Sequence, residues 1–214
     1  MAFNYKKIFN KNNSQLHQKS AMTGTRIAGL DELASLFAGS DYTWNTTDAL
    51  EQYSKSLYVF AATNKIAKKV ATTEFHLYKI INKAGDSDEI LDHAALDLLW
   101  KFNPFQTRTE FLRTTWINKT LTGEAFWAKI RNGKGDVVEL WNLRPDFMTV
   151  ISDSTAFIKR YEFQKSGGGK EIFQPEDIIY FKDPNPLNPL RGQSPIGPAK
   201  HRIETEQEAT KFQR

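Results

Sequence analysis

The sequence predicts an α+β fold, in which helices pack around an antiparallel, hairpin-rich sheet. Two neighbouring segments and the turn after them carry this prediction. Residues 107–122 repeat apolar side chains at the spacing of an α-helix. Residues 125–131 alternate between two faces at the spacing of a β-strand. Asn132-Gly133 follows directly, and this dipeptide is a strong signal for a hairpin because both central turn positions need positive φ.

The composition is that of a globular protein. The 214 residues are 40% apolar and 13% aromatic, which is enough to build a core and argues against general disorder. The sequence contains no cysteine, which excludes disulfides and thiolate metal sites within it. No apolar run approaches the length of a membrane span, so we expect no membrane segment.

The positive charge is concentrated near the N-terminus. Residues 1–30 contain four lysines, one arginine and no acidic residue, whereas the remaining residues carry 24 basic and 25 acidic side chains. We therefore expect residues 1–45 to form a basic, flexible arm, of which Lys6, Lys7 and Lys11 are candidates for contact with DNA or an acidic partner. The alternative is a frayed and solvated chain end.

A long helix is predicted from Asp48 to about Ala71, because Asp48 and Glu51 have the spacing of a capping box. Three lysines lie outside its apolar stripe, namely Lys65, Lys68 and Lys69. They either bind phosphate or an acidic partner, or form an ordinary solvated face. The predicted buried stripe consists of Leu50, Tyr53, Leu57, Phe60, Ala61, Ala67 and Ala71.

A strand is predicted over 75–81, followed by a polar turn over 82–89. Asp92 is expected to cap a short helix that runs through Phe102. Asn103-Pro104 then breaks the chain, because proline disfavours the α conformation in the residue before it.

The central helix has both of its ends encoded in the sequence. Thr107 and Glu110 have the spacing of a capping box at its start, and Gly123 supplies a left-handed stop at its end. Its apolar face is expected to contribute to a core formed by Phe111, Trp116, Leu99, Phe126 and Ile179.

Further strands are predicted at 136–143, 147–151, 156–164 and 178–182, and Pro145 ends the first of them. Pro184, Pro186 and Pro189 predict an extended loop. Ser194 as N-cap and Pro195 in the first turn predict a final helix that is still running at residue 214. We therefore divide the chain into the arm 1–45, an α+β domain 46–192, and the start of a long helix over 193–214.

No segment carries a recognisable catalytic or metal-binding pattern. The run 167–170 (GGGK) lacks the spacing and the Ser or Thr of a phosphate-binding loop, so a hairpin tip is the better interpretation. Half a calcium loop at Asp86, Asp88 and Glu89 lacks its glycine and its distal glutamate. Glu124 has no partner in the sequence that would make it a general base. The scattered histidines are His17, His76, His93 and His201.

The order of the remaining short motifs is more informative than any one of them. The structural motif residues that we single out are Asn103, Pro104, Thr107, Glu110, Phe111, Gly123, Glu124, Pro145, Gly192, Ser194 and Pro195. They occur together with Leu77-Tyr78, Asp92-His93, Leu98-Leu99, Gln106, Thr122, Ala125-Phe126, Leu140, Leu143-Arg144, Asp177-Ile178-Ile179, Ile196 and Ala199.

In this order, over residues 48–214, the motifs resemble the portal proteins of tailed bacteriophages. The resemblance implies a structural protein without enzymatic activity or cofactor. It implies a ring, usually of twelve subunits, at the portal vertex of the phage head, assembled in the host cytoplasm and kept in the virion. Its implied partners are further copies of itself, the terminase large subunit, the major capsid protein, the head–tail connector and the double-stranded DNA that passes through, with no membrane. The family continues past residue 214, so this chain corresponds mainly to the wing domain, and the stem and clip regions are expected downstream.

Two other functions are compatible with parts of the sequence. A nucleic-acid-binding module would combine the basic arm with Trp127 and Trp141 as stacking platforms. An enzyme would use the 167–170 loop on a nucleotide, and ATP would then raise its thermal stability.

Overall fold

A computed structural model describes residues 46–81, 86–152 and 157–212. Within these ranges no helix is long and apolar enough to cross a membrane. Five α-helices are described: α1 (Thr46–Lys55), α2 (Leu57–Ala71), α3 (Ala94–Trp100), α4 (Arg108–Thr122) and α5 (Lys200–Phe212). The strands are β1 (Leu77–Ile80), β2 (Ser87–Ile90), β3 (Glu124–Arg131), β4 (Val137–Leu143), β5 (Met148–Ile151), β6 (Arg160–Gln164), β7 (Lys170–Phe173) and β8 (Ile178–Lys182). Short 3₁₀ turns occur at Pro145–Phe147, Pro175–Asp177 and Gly197–Ala199.

The strands form three small antiparallel sheets, which confirms the predicted α+β class. One sheet is the hairpin β1–β2, the second has the order β4-β3-β8, and the third has the order β5-β6-β7. β3 is the central strand of the second sheet and pairs antiparallel with both of its neighbours. The residues that follow β3 in sequence therefore return to it from both sides.

β3 is buried on both faces, and each face contributes to a different cluster of the core. Trp127 packs with Phe102 and Phe111 in the cluster beneath α4. Phe126 packs in the cluster that joins the second sheet to the third, together with Tyr161. A third cluster joins α1, α2, α4 and α5 through Ala49, Val59, Leu121 and Ile203.

Most of the predicted core residues lie in these clusters. Phe111 and Phe126 are fully buried, and Leu99 and Ile179 are partly buried against the cluster beneath α4. The prediction for Trp116 was wrong: its side chain is only partly buried and packs beside the ammonium group of Lys119.

The capping box of α4 is confirmed in both directions. Thr107 Oγ1 accepts from the Glu110 amide at 3.2 Å, and Glu110 Oε2 accepts from the Thr107 amide at 2.9 Å. Gly123 ends the helix with φ of 77°, in the left-handed region that the sequence predicted. Both ends of α4 are thus determined by local chemistry.

Replacing Thr107 with alanine is expected to lower the free energy of unfolding by about 1 kcal/mol, because the Glu110 amide loses its acceptor. Thr109→Ala is the matched control, since Thr109 is exposed in the first turn of the same helix. Chemical denaturation of both variants measures the difference. An equal loss in the two variants would contradict the capping role.

The same box predicts a dependence on pH. Hydrogen bonds from the Thr107 backbone and side chain lower the pKa of Glu110 below 4.5. The folded state therefore binds this proton less readily than the unfolded state, so the stabilisation is present above pH 4.5 and is lost as the pH falls through the lowered pKa. The stability difference between wild type and Glu110→Gln is expected to shrink in acid, as urea denaturation at several pH values would show.

The predicted single helix over 48–71 is in fact two helices. The chain breaks at Ser56, whose side chain caps α2 by accepting from the Val59 amide. Leu57, Phe60 and Ala61, in the first turns of α2, are exposed, whereas Ala67 and Ala71 in its later turns are buried as predicted.

Two further boundaries before α4 were predicted wrongly. The polar turn predicted over 82–89 includes the strand β2, which pairs with β1 from Leu77↔Ile90 to Ile80↔Ser87. His93, and not Asp92, caps α3, because His93 Nδ1 accepts from the Ala95 amide. Polar residues at the edge of a hairpin gave no apolar alternation from which β2 could be recognised.

The β3–β4 hairpin is confirmed, but its turn differs from the prediction. Of the two glycines in this loop Gly135 has positive φ and Gly133 does not, and Asn132 Oδ1 accepts from the amides of Lys134 and Asp136. The loop is therefore longer than two residues and is preceded by a register shift at Ile130/Arg131, at the end of β3.

The segments after β4 differ from prediction in two places. The glycine run is a hairpin tip, as expected. The strand β7 that follows it was not predicted, because its residues are mostly exposed and show no alternation of apolar and polar side chains. Ser194 does not cap a helix: its hydroxyl donates to the Leu121 carbonyl, and α5 begins only at Lys200. The proline-rich loop over 183–191 contains neither helix nor strand, as predicted.

Candidate functional site

Four of the motif residues meet where α4 passes into β3. Gly123 and Glu124 form that junction, and Gly192 and Ser194 lie on a segment that crosses it about 70 residues later in the chain. We call 191–194 the crossing segment. It lies between the loop after β8 and the turn that leads into α5.

The two backbones touch at the crossing. A Cβ atom at Gly123 would lie 2.1 Å from the carbonyl oxygen of Gln193, and one at Gly192 would lie 2.3 Å from the carbonyl oxygen of Gly123. No side chain fits at either position without movement of backbone. Glycine is therefore required at Gly192 by close approach, and at Gly123 by close approach together with positive φ.

The Glu124 side chain holds the crossing segment against β3 through hydrogen bonds. Its side chain is buried, and Oε1 accepts hydrogen bonds from the Tyr180 hydroxyl at 2.6 Å, Arg191 Nε at 2.8 Å and the Gly192 amide at 2.6 Å. Oε2 accepts from Arg191 Nη2 at 2.6 Å. Arg191 Nη1 donates a hydrogen bond to the Met148 carbonyl at 3.2 Å. One carboxylate thus joins β3, β8, the start of β5 and the crossing segment.

The electrostatics of this cluster favour a charged guanidinium at Arg191 and a protonated hydroxyl at Tyr180. Burial and the neighbouring carboxylate of Glu124 raise the pKa of Tyr180, so its hydroxyl remains a donor. Burial of Arg191 disfavours its charge, but the hydrogen bonds and the charge of Glu124 outweigh burial and raise the pKa of the guanidinium. The bidentate geometry suits a partly buried pair, because it satisfies both carboxylate oxygens.

Further contacts hold the chain on either side of the crossing. Ser194 Oγ donates to the carbonyl of Leu121 in the last turn of α4. The Asp183 amide donates to the Gly123 carbonyl at 2.8 Å, and the Asp183 carboxylate forms an ion pair with Lys119. Both ends of the segment 183–194 are therefore attached to the C-terminal end of α4.

This arrangement is suited to mechanical attachment and not to chemistry. Every oxygen of the Glu124 carboxylate is occupied by donors of the chain itself, so it is not available as a general base. Among the described residues no group of three or more His, Cys, Asp or Glu side chains is placed to hold a metal ion.

Comparison with family models identifies the family. Residues 58–214 match the family described as "Phage portal protein", which is well over half of the chain. The chain belongs to the phage portal protein family. Portal proteins are structural proteins and not enzymes. A comparison with curated protein sequences found no significant match.

Solved structures share the fold of this portal-family chain. The neck of an empty gene transfer agent (GTA) particle, computed with C6 symmetry, contains a chain that is 21% identical, with a TM-score of 0.65 over 78% of this chain and 45% of that one. The corresponding values for the neck of a native GTA particle, computed with C12 symmetry, are 20%, 0.63, 79% and 45%. An HK97-family portal protein from Corynebacterium diphtheriae is 16% identical, with a TM-score of 0.43 over 77% and 46% of the two chains.

The chain spans less than half of the length of these structures. At such identities the two neck structures establish the fold. The functions and binding partners of the GTA particles are properties of those particles, and this likeness does not transfer them to the present chain.

The other motif residues of the portal-family sequence do not join the crossing. Asn103 lies before α4, where its Oδ1 accepts from the amides of Phe105 and Gln106 and its Nδ2 donates to the Leu140 carbonyl. It ties the start of α4 to β4. The remaining members lie at the start of α4 (Pro104, Thr107, Glu110 and Phe111), in the turn after β4 (Pro145) and after the crossing (Pro195).

Sequence reasoning missed Tyr180 and Arg191, the partners of Glu124. They lie 56 and 67 residues after it, and neither belongs to a recognisable motif. One signal was present: Glu124 occupies the same strand face as the apolar Phe126 and Ala128. A carboxylate at such a position requires a cationic partner, although the sequence does not say which one.

The structure places the predicted contact residues and the stacking platforms as follows. Lys65, Lys68 and Lys69 are exposed on α2, and Lys6, Lys7 and Lys11 lie outside the described residues. Trp127 is buried with its Nε1 donating to Thr115 Oγ1 at 2.8 Å, so its prediction as a stacking platform was wrong. Trp141 is partly buried, with its Nε1 donating to Glu139.

Proposed function

We propose that this chain is the wing portion of a subunit of a closed portal ring, twelve-fold in the complete protein, through which double-stranded DNA enters and leaves the particle. The match of residues 58–214 to the portal family carries this proposal. The fold shared with chains of a GTA neck computed with C12 symmetry supports the ring and its place in the virion.

The crossing gives this portion a definite mechanical role. The ion pair of Glu124 and Arg191, and the contact of Gly123 with Gly192, fix the segment from which α5 departs. In the proposed ring, α5 leads from the wing towards the parts that line the channel. A rigid crossing then keeps the same direction of departure in every subunit, which a closed symmetric ring requires.

The charge of the body is compatible with a conduit. Outside residues 1–30, basic and acidic side chains nearly balance. Because each neutralised phosphate adds to a salt-dependent grip on DNA, a nearly neutral body favours sliding over retention. The terminase large subunit, the major capsid protein and the head–tail connector are the docking partners that we propose for the assembled ring.

Assembly tests the proposal directly. We expect the purified chain to form closed rings with a central channel in negative-stain electron microscopy, with a solution mass that is a multiple of 24.5 kDa. Light scattering over a range of concentrations gives the mass. A chain that stays monomeric at every concentration would contradict ring formation by this portion.

A further inference from the structure

The β1–β2 hairpin presents an apolar and acidic surface that the described chain does not cover. Leu77 and Ile90 are its half-buried residues, so strand alternation places Tyr78, Ile80 and Glu89 on the opposite, outward face. Ile80 is 75% exposed and Leu91, just after β2, is 83% exposed. A two-stranded hairpin is marginally stable by itself, so a covering partner would stabilise it.

The charge of β2 and of the residues that follow it has one predominant sign, whereas β1 carries Lys79. Residues 86–97 contain five acidic side chains and no lysine or arginine. Glu89 contacts His76 on the outward face at 2.7 Å, and Asp92 follows it in an exposed position. We call Tyr78, Ile80, Glu89, Leu91 and Asp92 the hairpin face.

The outer side of α2 has the complementary character. Its first turn exposes Leu57 by 74% and Tyr58 by 71%, and its later turns expose Lys65 and Lys69 on the same side. The helix contains three lysines and no acidic residue. We call Leu57, Tyr58, Ala62, Lys65, Ile66 and Lys69 the helix face.

The two faces are not paired with each other within the described part of the chain. The ion pairs found there do not include Lys65, Lys69 or Asp92, and Glu89 pairs with His76. Two complementary faces on one chain allow a head-to-tail contact between copies, and head-to-tail contacts generate rings when the rotation closes.

We propose that the hairpin face of one copy docks on the helix face of the next copy in the ring. The exposed apolar residues of the two faces would be buried together, while Glu89 and Asp92 meet Lys65 and Lys69 among them. This proposal rests on the proposed ring and names the surfaces that would form its subunit contact. DNA is the less suitable occupant of the helix face, because a phosphate backbone would leave Leu57 and Tyr58 uncovered.

Crosslinking tests the contact in the cysteine-free chain. A chain with Ala62→Cys is mixed with one with Ser87→Cys, since both residues are small and exposed, Ala62 belongs to the helix face, and Ser87 lies opposite Ile80 of the hairpin face. With a short bifunctional maleimide, we expect severalfold more dimer than when Ala62→Cys is mixed with Lys134→Cys, which is exposed at the β3–β4 hairpin tip. A yield no higher than that of this control would overturn the proposal.

Charge exchange provides the second test and uses the same crosslink. Lys65→Glu with Lys69→Glu, or Glu89→Lys with Asp92→Lys, is expected to lower the dimer yield roughly tenfold, because like charges then face each other. All four changes in one chain are expected to restore the yield. Failure of the combined variant to recover the dimer yield would overturn the proposal. If the lysine variants instead lose binding to double-stranded DNA, the helix face would be assigned to nucleic acid.

The two proposals fail in different ways. Rings that persist in every charge variant, with no preferred crosslink, would overturn this contact and leave the ring intact. A specific crosslink in a chain that forms open filaments or dimers would support the contact and contradict the closed ring.

Discussion

Replacing Arg191 with methionine is expected to lower the free energy of unfolding by about 3–5 kcal/mol, because it leaves the Glu124 carboxylate buried without its cation. The Tyr180 hydroxyl and the Gly192 amide remain as donors, but neither carries a charge. Urea denaturation followed by tryptophan fluorescence measures the loss.

Lys55→Ala is the matched control for Arg191→Met. It removes an ion pair with Glu51 in which both side chains are about half exposed, and we expect a loss of about 0.3–0.5 kcal/mol. The double variant Glu124→Gln/Arg191→Met is expected to lose less than the sum of the two single variants, because the lone buried charge is gone. Strict additivity would show that the two groups act independently and would contradict the proposed anchor.

The second large effect is expected at the glycines of the crossing. Gly192→Ala places a methyl group 2.3 Å from the Gly123 carbonyl oxygen, so backbone has to move, at a cost of about 1–3 kcal/mol. Gly123→Ala combines a 2.1 Å approach to Gln193 with φ of 77°, and left-handed backbone adds about 1–2 kcal/mol for a residue with a Cβ. Thermal or chemical denaturation of the two variants gives both values.

The chain offers a control for each of these substitutions. Gly135 has φ of 91° and Gly167 has no positive φ, and a Cβ at either position meets no atom within 4 Å. Gly135→Ala therefore measures only the cost of placing a residue with a Cβ at positive φ. Gly167→Ala is expected to leave the free energy of unfolding almost unchanged. If Gly123→Ala costs no more than Gly135→Ala, close packing at the crossing is not what requires glycine there.

Short-range signals predicted the parts of the fold whose causes are local. The cap at Thr107, the stop at Gly123 and the alternation in β3 each involve residues within a few positions of one another, and the structure has all three. Some errors were local, since Ser56 and His93 cap helices through amides two or three residues away. Others arose where tertiary contacts decide: Trp127 is buried because Phe102 and Phe111 pack against it.

The sequence by itself determined the α+β class, the boundaries of the central helix and the resemblance to portal proteins, because capping, periodicity and motif order are properties of neighbouring residues. Only the tertiary structure decided that Glu124 and Arg191 form one ion pair, that Gly123 and Gly192 are in contact, and that Ser194 holds the end of α4 instead of starting a helix. These partners lie some 70 residues apart along the chain, and their contact depends on how the strands pair and the helices pack. Patterns among neighbouring residues therefore do not predict which distant residues come into contact.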